Sequence, residues 1–141
     1  MFLARVLVMV VLAAALGGAT ADAATVSAWG KRADPLCAAA SAKLKKITEP
    51  TSVKASAPYY AKVRAVAIDL TVRLKAIPSP TAAARLALRA QGVVNTAIGK
   101  VVTAAKTGSE ARLKAAFTEA AAADATADAA FKAAGAPTCV D

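Results

Sequence analysis

Apolar side chains recur every three or four residues through most of this 141-residue chain, which is the spacing of one face of an α-helix. Four such stretches are separated by segments that contain proline or glycine. No stretch shows the strict alternation typical of a half-buried β-strand. The pattern therefore predicts an all-α fold, and the short connections after the second and third helices favour an up-down four-helix bundle.

Prolines define the predicted limits of the first two helices. Asp34 is followed by Pro35, which predicts an N-cap and the first position of a helix over 35–47. Residues 48–57 are predicted to form a polar linker, because a proline near its start cannot continue the first helix. The second helix is predicted over 58–77, where it meets another proline-rich turn.

Capping residues define the other two helices. The third helix is predicted to begin after a cap at Ser79 or Thr81 and to end near Lys106. The segment from Thr107 to Glu110 has the spacing of a capping box and predicts the start of the fourth helix. That helix is predicted to end at Gly135.

Each predicted helix has an apolar stripe that is expected to face the core. The inward positions are Leu36, Cys37, Ala40, Leu44 and Ile47; Tyr59, Val63, Val66, Leu70, Leu74 and Ile77; Leu86, Ala90, Val93, Ala97, Val101 and Ala104; and Leu113, Phe117, Ala120, Ala127, Phe131 and Ala134. Gly92 and Gly99 are seven residues apart and so lie on nearly one face, which predicts a close helix crossing there.

The first 24 residues have the features of a secretory signal peptide. Arg5 precedes an apolar run of 11 residues, 6–16, which is too short for the ~20 residues of a membrane-spanning helix. Small residues follow, and 21–24 contains an Ala-x-Ala cleavage pattern. We therefore expect a signal peptide over 1–24 and one domain over 25–141, in a secreted or extracytoplasmic protein. A retained membrane anchor is the alternative.

The two cysteines are expected to form a structural disulfide. Cys37 lies in the first turn of the first predicted helix, and Cys139 lies just beyond the fourth. In an up-down bundle with an even number of helices those two ends meet at one pole, and export delivers the chain to an oxidising compartment. A redox or metal-binding pair is the alternative, but neither cysteine belongs to a Cys-x-x-Cys motif.

Composition argues against catalysis. The chain has no histidine, which excludes Ser-His-Asp and Cys-His mechanisms and histidine-containing metal sites. Of its 141 residues 42 are alanine, a side chain that offers little chemistry. Asp124 and Asp128 are one helical turn apart and could share a cation, but an exposed polar face explains them as well. The sequence therefore predicts a non-enzymatic protein with no catalytic residues, no metal site and no cofactor.

The charge distribution indicates an anionic partner. The formal net charge is +9. Residues 25–106 carry 14 basic and three acidic side chains, whereas 107–141 carry three basic and five acidic ones. The densest basic positions, and the predicted contacts to an anionic surface, are Lys31, Arg32, Lys43, Lys45 and Lys46. Anionic cell-envelope polymers or lipid head groups fit an exported cation, whereas nucleic acid is disfavoured. A basic surface that serves only solubility is the alternative.

Tyr59 and Tyr60 open the second predicted helix and are candidate contacts for a ligand or a protein partner. The alternative gives one ring to the core and the other to the surface, with both hydroxyl groups in water. Trp29 precedes the first helix and is expected to close the end of the bundle.

The framework of the chain resembles a group of small exported helical proteins. Trp29, Asp34 and Cys37 form a Trp-x4-Asp-x2-Cys opening, and Gly135 and Cys139 form a closing Gly-x3-Cys. This frame is similar to that of uncharacterised, cysteine-bracketed exported proteins of high-GC Gram-positive bacteria. The shared motifs are framework residues and carry no activity. From the sequence as a whole we expect a monomeric, non-catalytic binding or structural module of the cell envelope. A module that docks a protein partner through a helix face is the alternative.

Overall fold

The computed structural model describes residues 25–140, which form four α-helices and contain no β-strand. The elements are α1, Gly30–Leu44; α2, Val53–Lys75; α3, Ala82–Lys106; α4, Glu110–Ala133; and a final 3-10 helix, Pro137–Cys139. The prediction of an all-α fold with four helices is confirmed. The predicted signal peptide lies outside the described residues.

Helices adjacent in sequence pack against one another, most extensively α3 with α4 and then α2 with α3. α1 contacts α2 and the 3-10 helix. One core cluster surrounds Trp29, Leu74 and Phe131, and the Trp29 and Phe131 rings stack with centroids 6.3 Å apart. Trp29 is 3% exposed, as expected of a residue that closes one end of the core. A second cluster surrounds Val101 and Leu113.

The predicted start of the first helix is wrong. α1 begins five residues earlier, and Pro35 lies inside it. Trp29 is the N-cap residue and provides no side-chain cap, while Ser27 Oγ accepts a hydrogen bond from Gly30 N at 2.8 Å. The carboxylate of Asp34 instead accepts a hydrogen bond from Thr138 N at 3.0 Å, so it ties α1 to the 3-10 helix.

The second helix also begins five residues before its predicted start. Ser52 is its N-cap and accepts a hydrogen bond from Ala55 N at 3.2 Å. Pro58 is the sixth residue of α2, just as Pro35 is the sixth residue of α1. A proline this close to a helix N-terminus removes one backbone hydrogen bond and leaves the long remainder intact. The prediction failed because it placed each proline at the first helical position.

The caps of the last two helices are partly as predicted. Thr81 caps α3, and its hydroxyl accepts a hydrogen bond from Ala84 N at 3.1 Å. The capping box predicted from Thr107 is wrong, because Ser109 is the N-cap of α4. Thr107 instead ends α3, and its hydroxyl donates to Ala104 O at 2.7 Å.

The predicted stripe of α3 is wrong at two large residues. Leu86 and Val93 are 56% and 58% exposed. The buried face carries Ala84, Ala87, Gln91, Val94, Ala97, Val101, Ala104 and Ala105. Alanine occurs on several sides of α3, so more than one apolar stripe fits its sequence. Because the buried face contains the polar Gln91, the sequence pattern favoured the stripe that passes through Leu86 and Val93. Leu44, predicted to face inward from the first helix, is 38% exposed.

The predicted close crossing at Gly92 and Gly99 is also wrong. A Cβ atom at position 92 would meet no atom within 4 Å, and one at 99 would meet only the Arg64 side chain. The close backbone approach in this fold is between Gly30 and Gly135. Gly135 follows α4 with a φ of 71°, a conformation that glycine adopts without strain.

The predicted disulfide is confirmed. Cys37 and Cys139 are bonded, with Cα atoms 5.0 Å apart and a sequence separation of 102. The bond joins α1 to the 3-10 helix that follows α4, and so links the two ends of the described chain.

Candidate functional site

The short first helix leaves part of the core uncovered. α1 has 15 residues, whereas α2, α3 and α4 have 23, 25 and 24. At ~1.5 Å per residue, α1 is roughly 12–15 Å shorter than its neighbours. The chain from Lys45 to Ser52 connects α1 to α2 without forming a helix. A cleft of about 1300 Å³ is lined by all four helices and the C-terminal segment.

The lining of the cleft is mainly apolar. Its larger apolar contributors are Leu44 from α1; Tyr59, Tyr60, Val63, Val66 and Leu70 from α2; Val94 and Ile98 from α3; and Phe117 and Phe131 from α4. Pockets for drug-sized ligands commonly have volumes of ~300–1,000 Å³ and a similar apolar lining with a few polar groups. The cleft therefore has room for a long or branched apolar group.

Both predicted tyrosines line this cleft. Tyr60 is buried and Tyr59 half-buried, and their rings meet edge to face with centroids 4.9 Å apart. Tyr60 also meets the Phe117 ring of α4 edge to face at 5.2 Å. Burial, with the negative charge of Glu49 nearby, raises the pKa of both phenols. Both therefore stay neutral at physiological pH and keep their hydrogen as a donor.

Charged side chains lie among the lining residues of the cleft. They are Lys45, just beyond the end of α1, and Glu110, Lys114, Asp124 and Asp128 from α4. Asp124 and Asp128, which are one helical turn apart, therefore both line this cleft. Each of them also interacts with another group of the protein. Gln91 of α3 adds a buried amide to the lining. The cleft therefore combines apolar walls with charged groups, as suits an amphipathic occupant.

The five predicted basic contacts do not form one patch. Lys31 and Arg32 lie in the first turn of α1, whereas Lys43, Lys45 and Lys46 lie around its end. The two groups are separated by roughly 16 Å along the helix axis. All five side chains are exposed.

Lys43 is held by an ion pair to α2. Its Nζ donates to Asp69 Oδ2 at 3.1 Å, and Arg73 Nε lies at the same distance from that oxygen. These two cations lower the pKa of the Asp69 carboxyl. Lys45 has a different position, because it lines the apolar cleft.

Sequence reasoning missed a second, smaller groove of about 490 Å³ on the opposite face of α3. Its cations are Arg64 from α2, Lys100 from α3 and Arg112 from α4. They are far apart in sequence, and only the packing of three helices brings them together. The spacing of threonines along α3 was the available signal, but it does not indicate which neighbours complete a groove.

Within residues 25–140, no group of three or more acidic or cysteine side chains is arranged to hold a metal ion. No helix in the same range is both long and apolar enough to cross a membrane. In comparisons with known proteins, no family model, curated protein or solved structure matches this chain, so the cleft and its chemistry are the basis for assigning a function.

Proposed function

We propose that this protein is an exported, non-catalytic binding module of the cell envelope, and that its apolar cleft holds an amphipathic ligand. The observation that most strongly supports this proposal is a cleft of about 1300 Å³ whose apolar walls come from several helices. A disulfide between Cys37 and Cys139 supports an oxidising, extracytoplasmic location. Residues 1–24 would act as the signal peptide, and an up-down order of helices would suit the pairing of sequential neighbours.

The proposed ligand is a lipid-like molecule with an acyl chain and an anionic head group. The acyl chain would lie against Val66, Ile98 and Phe117, where removal of apolar area from water contributes about 25 cal/mol per Å². Lys45, which follows α1, and Lys114 of α4 would attract the head group. The remaining exposed cations would direct the protein to anionic envelope material.

A fluorescent fatty acid tests the proposal by titration against the oxidised, exported protein. Ala121 and Ala122 are both exposed on α4, but only Ala121 lines the cleft. We expect saturable binding of one probe per chain, at least tenfold weaker binding to Ala121→Trp, and unchanged binding to the control Ala122→Trp. Binding that is absent, or equally sensitive to both substitutions, would contradict the proposal.

The cleft also favours a second candidate, a module that docks an amphipathic helix of a protein partner. Its lining follows α4 from Glu110 to Phe131, a length of roughly 32 Å that a partner helix could occupy. Such a partner would compete with the fluorescent probe for the cleft, and the Ala121→Trp variant would no longer bind it. Direct binding of an amphipathic peptide, together with no saturable binding of the fatty acid, would make this the better assignment.

A further inference from the structure

The smaller groove lies on the face of α3 that points away from the cleft. Val94 of α3 lines the cleft, whereas Thr96 lines the groove. Two positions correspond to about 200° around a helix, so the two sites lie back to back on α3. A ligand in the groove would therefore not compete for space with an occupant of the cleft.

Two of the three cations in the groove are positioned by specific contacts. A Cβ atom at Gly99 would lie 3.2 Å from Arg64 Nε, so the glycine makes room for the guanidinium group. Arg64 Nε donates a hydrogen bond to Asn95 O at 3.4 Å. This bond does not use the two terminal amino groups, which are suited to an oxyanion. Lys100 is joined to α4 by an ion pair with Glu119.

The threonines of the groove favour a ligand with hydroxyl groups. Thr96 Oγ1 donates to Gly92 O, and Thr103 Oγ1 donates to Gly99 O, both at 3.1 Å. Since each hydroxyl has already given its hydrogen to the helix backbone, its oxygen is left as an acceptor. Arginine and lysine donors beside such acceptors match a chain that alternates anionic groups with hydroxyl groups.

The dimensions of the groove and its lining narrow the class of ligand. From Thr96 to Thr107, the groove follows α3 for roughly 16 Å, which is longer than a single phosphate or carboxylate group. None of the residues that line it is aromatic. Proteins usually hold single-stranded nucleic acid by stacking its bases on aromatic side chains. The lining of this groove therefore disfavours single-stranded nucleic acid as the ligand.

We propose that this groove binds a linear, hydroxyl-bearing polyanion, such as a polyol chain linked by phosphodiesters. Arg64, Lys100 and Arg112 would contact successive anionic groups, while Thr96 and Thr103 would accept hydrogen bonds from the hydroxyl groups between them. The inference rests on the proposed envelope location but not on the lipid-like ligand of the cleft.

The test compares two double variants of the oxidised, exported protein with equal changes in charge. Arg64→Gln/Arg112→Gln removes two cations of the groove, whereas Arg85→Gln/Arg89→Gln removes two exposed cations of α3 outside it. The probe is a fluorescently labelled poly(glycerol phosphate). We expect the groove variant to bind at least tenfold more weakly and the control less than threefold more weakly. Equal losses would overturn the proposal, because they would show attraction to net charge alone.

A second comparison tests the hydroxyl groups. Thr103→Val removes an acceptor without changing charge, and inorganic polyphosphate provides a polyanion that lacks polyol hydroxyls. We expect this variant to weaken binding of poly(glycerol phosphate) several-fold while its binding of polyphosphate is unchanged. Equal effects on both polymers, or tighter binding of single-stranded DNA than of either, would overturn the proposed ligand class. The groove variant should bind the fatty acid as tightly as the unmodified protein does. This control distinguishes a failure of the groove proposal from a failure of the cleft proposal.

Discussion

Gly30 lies so close to Gly135 that a Cβ atom at position 30 would fall 1.7 Å from the Gly135 carbonyl oxygen. The contact brings the first turn of α1 against the end of α4. It is made between backbone atoms, which cannot move aside as a flexible side chain can. The absence of a side chain at position 30 is therefore a requirement of this junction.

The first prediction follows from that contact. Gly30→Ala should lower the free energy of unfolding by at least about 1–3 kcal/mol, because the added methyl group forces two backbone segments apart. Gly92→Ala is the matched control, since its methyl group would meet no atom within 4 Å. It should raise the free energy of unfolding by up to ~1 kcal/mol, through the better helix propensity of alanine. Urea denaturation measures both, and a tolerated Gly30→Ala would contradict the packing described.

The second prediction concerns the disulfide. Cys37 and Cys139 close a loop with a sequence separation of 102, for which chain entropy gives a stabilisation of up to ~4.7 kcal/mol. Cys37→Ala/Cys139→Ala should therefore unfold at a much lower urea concentration than the oxidised protein. Reductant should lower the midpoint of the unmodified chain and leave that of the variant unchanged. Equal midpoints for the oxidised protein and the double variant would show that the bond contributes little.

The overall architecture was accessible from the sequence because it depends on local signals. Apolar spacing indicated four helices, Thr81 was one of two predicted caps for α3, and the positions of Cys37 and Cys139 indicated their pairing. These features need only helical periodicity, side-chain capping and the order of elements. They do not require knowledge of how far each helix extends along its neighbours.

The cleft could not be predicted from the sequence, because it depends on the lengths of the helices and on which face of each helix points inward. α1 ends at Leu44 and not at the predicted Ile47, and the early start of α2 leaves eight residues to connect them. Gln91 belongs to the buried face of α3, although its polarity argued for the surface. Alanine fits either side of a helix, so an alanine-rich sequence defines the inward faces only weakly.

The third prediction is a pH dependence at Asp69. Hydrogen bonds from Lys43 and Arg73 lower the pKa of this carboxyl in the folded protein, relative to the unfolded value of ~3.9. The ion pairs therefore stabilise the fold above that unfolded value, and this contribution is lost as the pH falls through the folded pKa. Asp69→Asn should be less stable than the unmodified protein at pH 7, and the difference should shrink below pH 4. Urea midpoints at several pH values measure it, and a difference independent of pH would contradict the assignment.

The fourth prediction concerns processing of the N-terminus, with cleavage expected between Asp22 and Thr25. Ser27 requires that the cut fall before it. Its backbone N–H donates to Gly135 O at 3.1 Å, and its hydroxyl donates to Ala134 O at 2.7 Å while accepting from Gly30 N. Intact-mass analysis of the exported protein should therefore find a chain that begins within 22–25.

Truncation connects this processing to stability. Ser27 makes four hydrogen bonds, since its carbonyl oxygen also accepts one from Lys31 N at 2.9 Å. A chain that begins at Thr25 keeps all four, whereas one that begins at Ala28 loses them. At ~0.5–1.5 kcal/mol for each of the four bonds, the shorter chain should be less stable by about 2–6 kcal/mol. Ser27→Ala in the longer chain removes only the two side-chain hydrogen bonds. Its free energy of unfolding should therefore lie between those of the two truncated chains. Recovery of only the unprocessed chain from membranes would overturn the expected cleavage, whereas equal stability of the two truncated chains would overturn the structural role of Ser27.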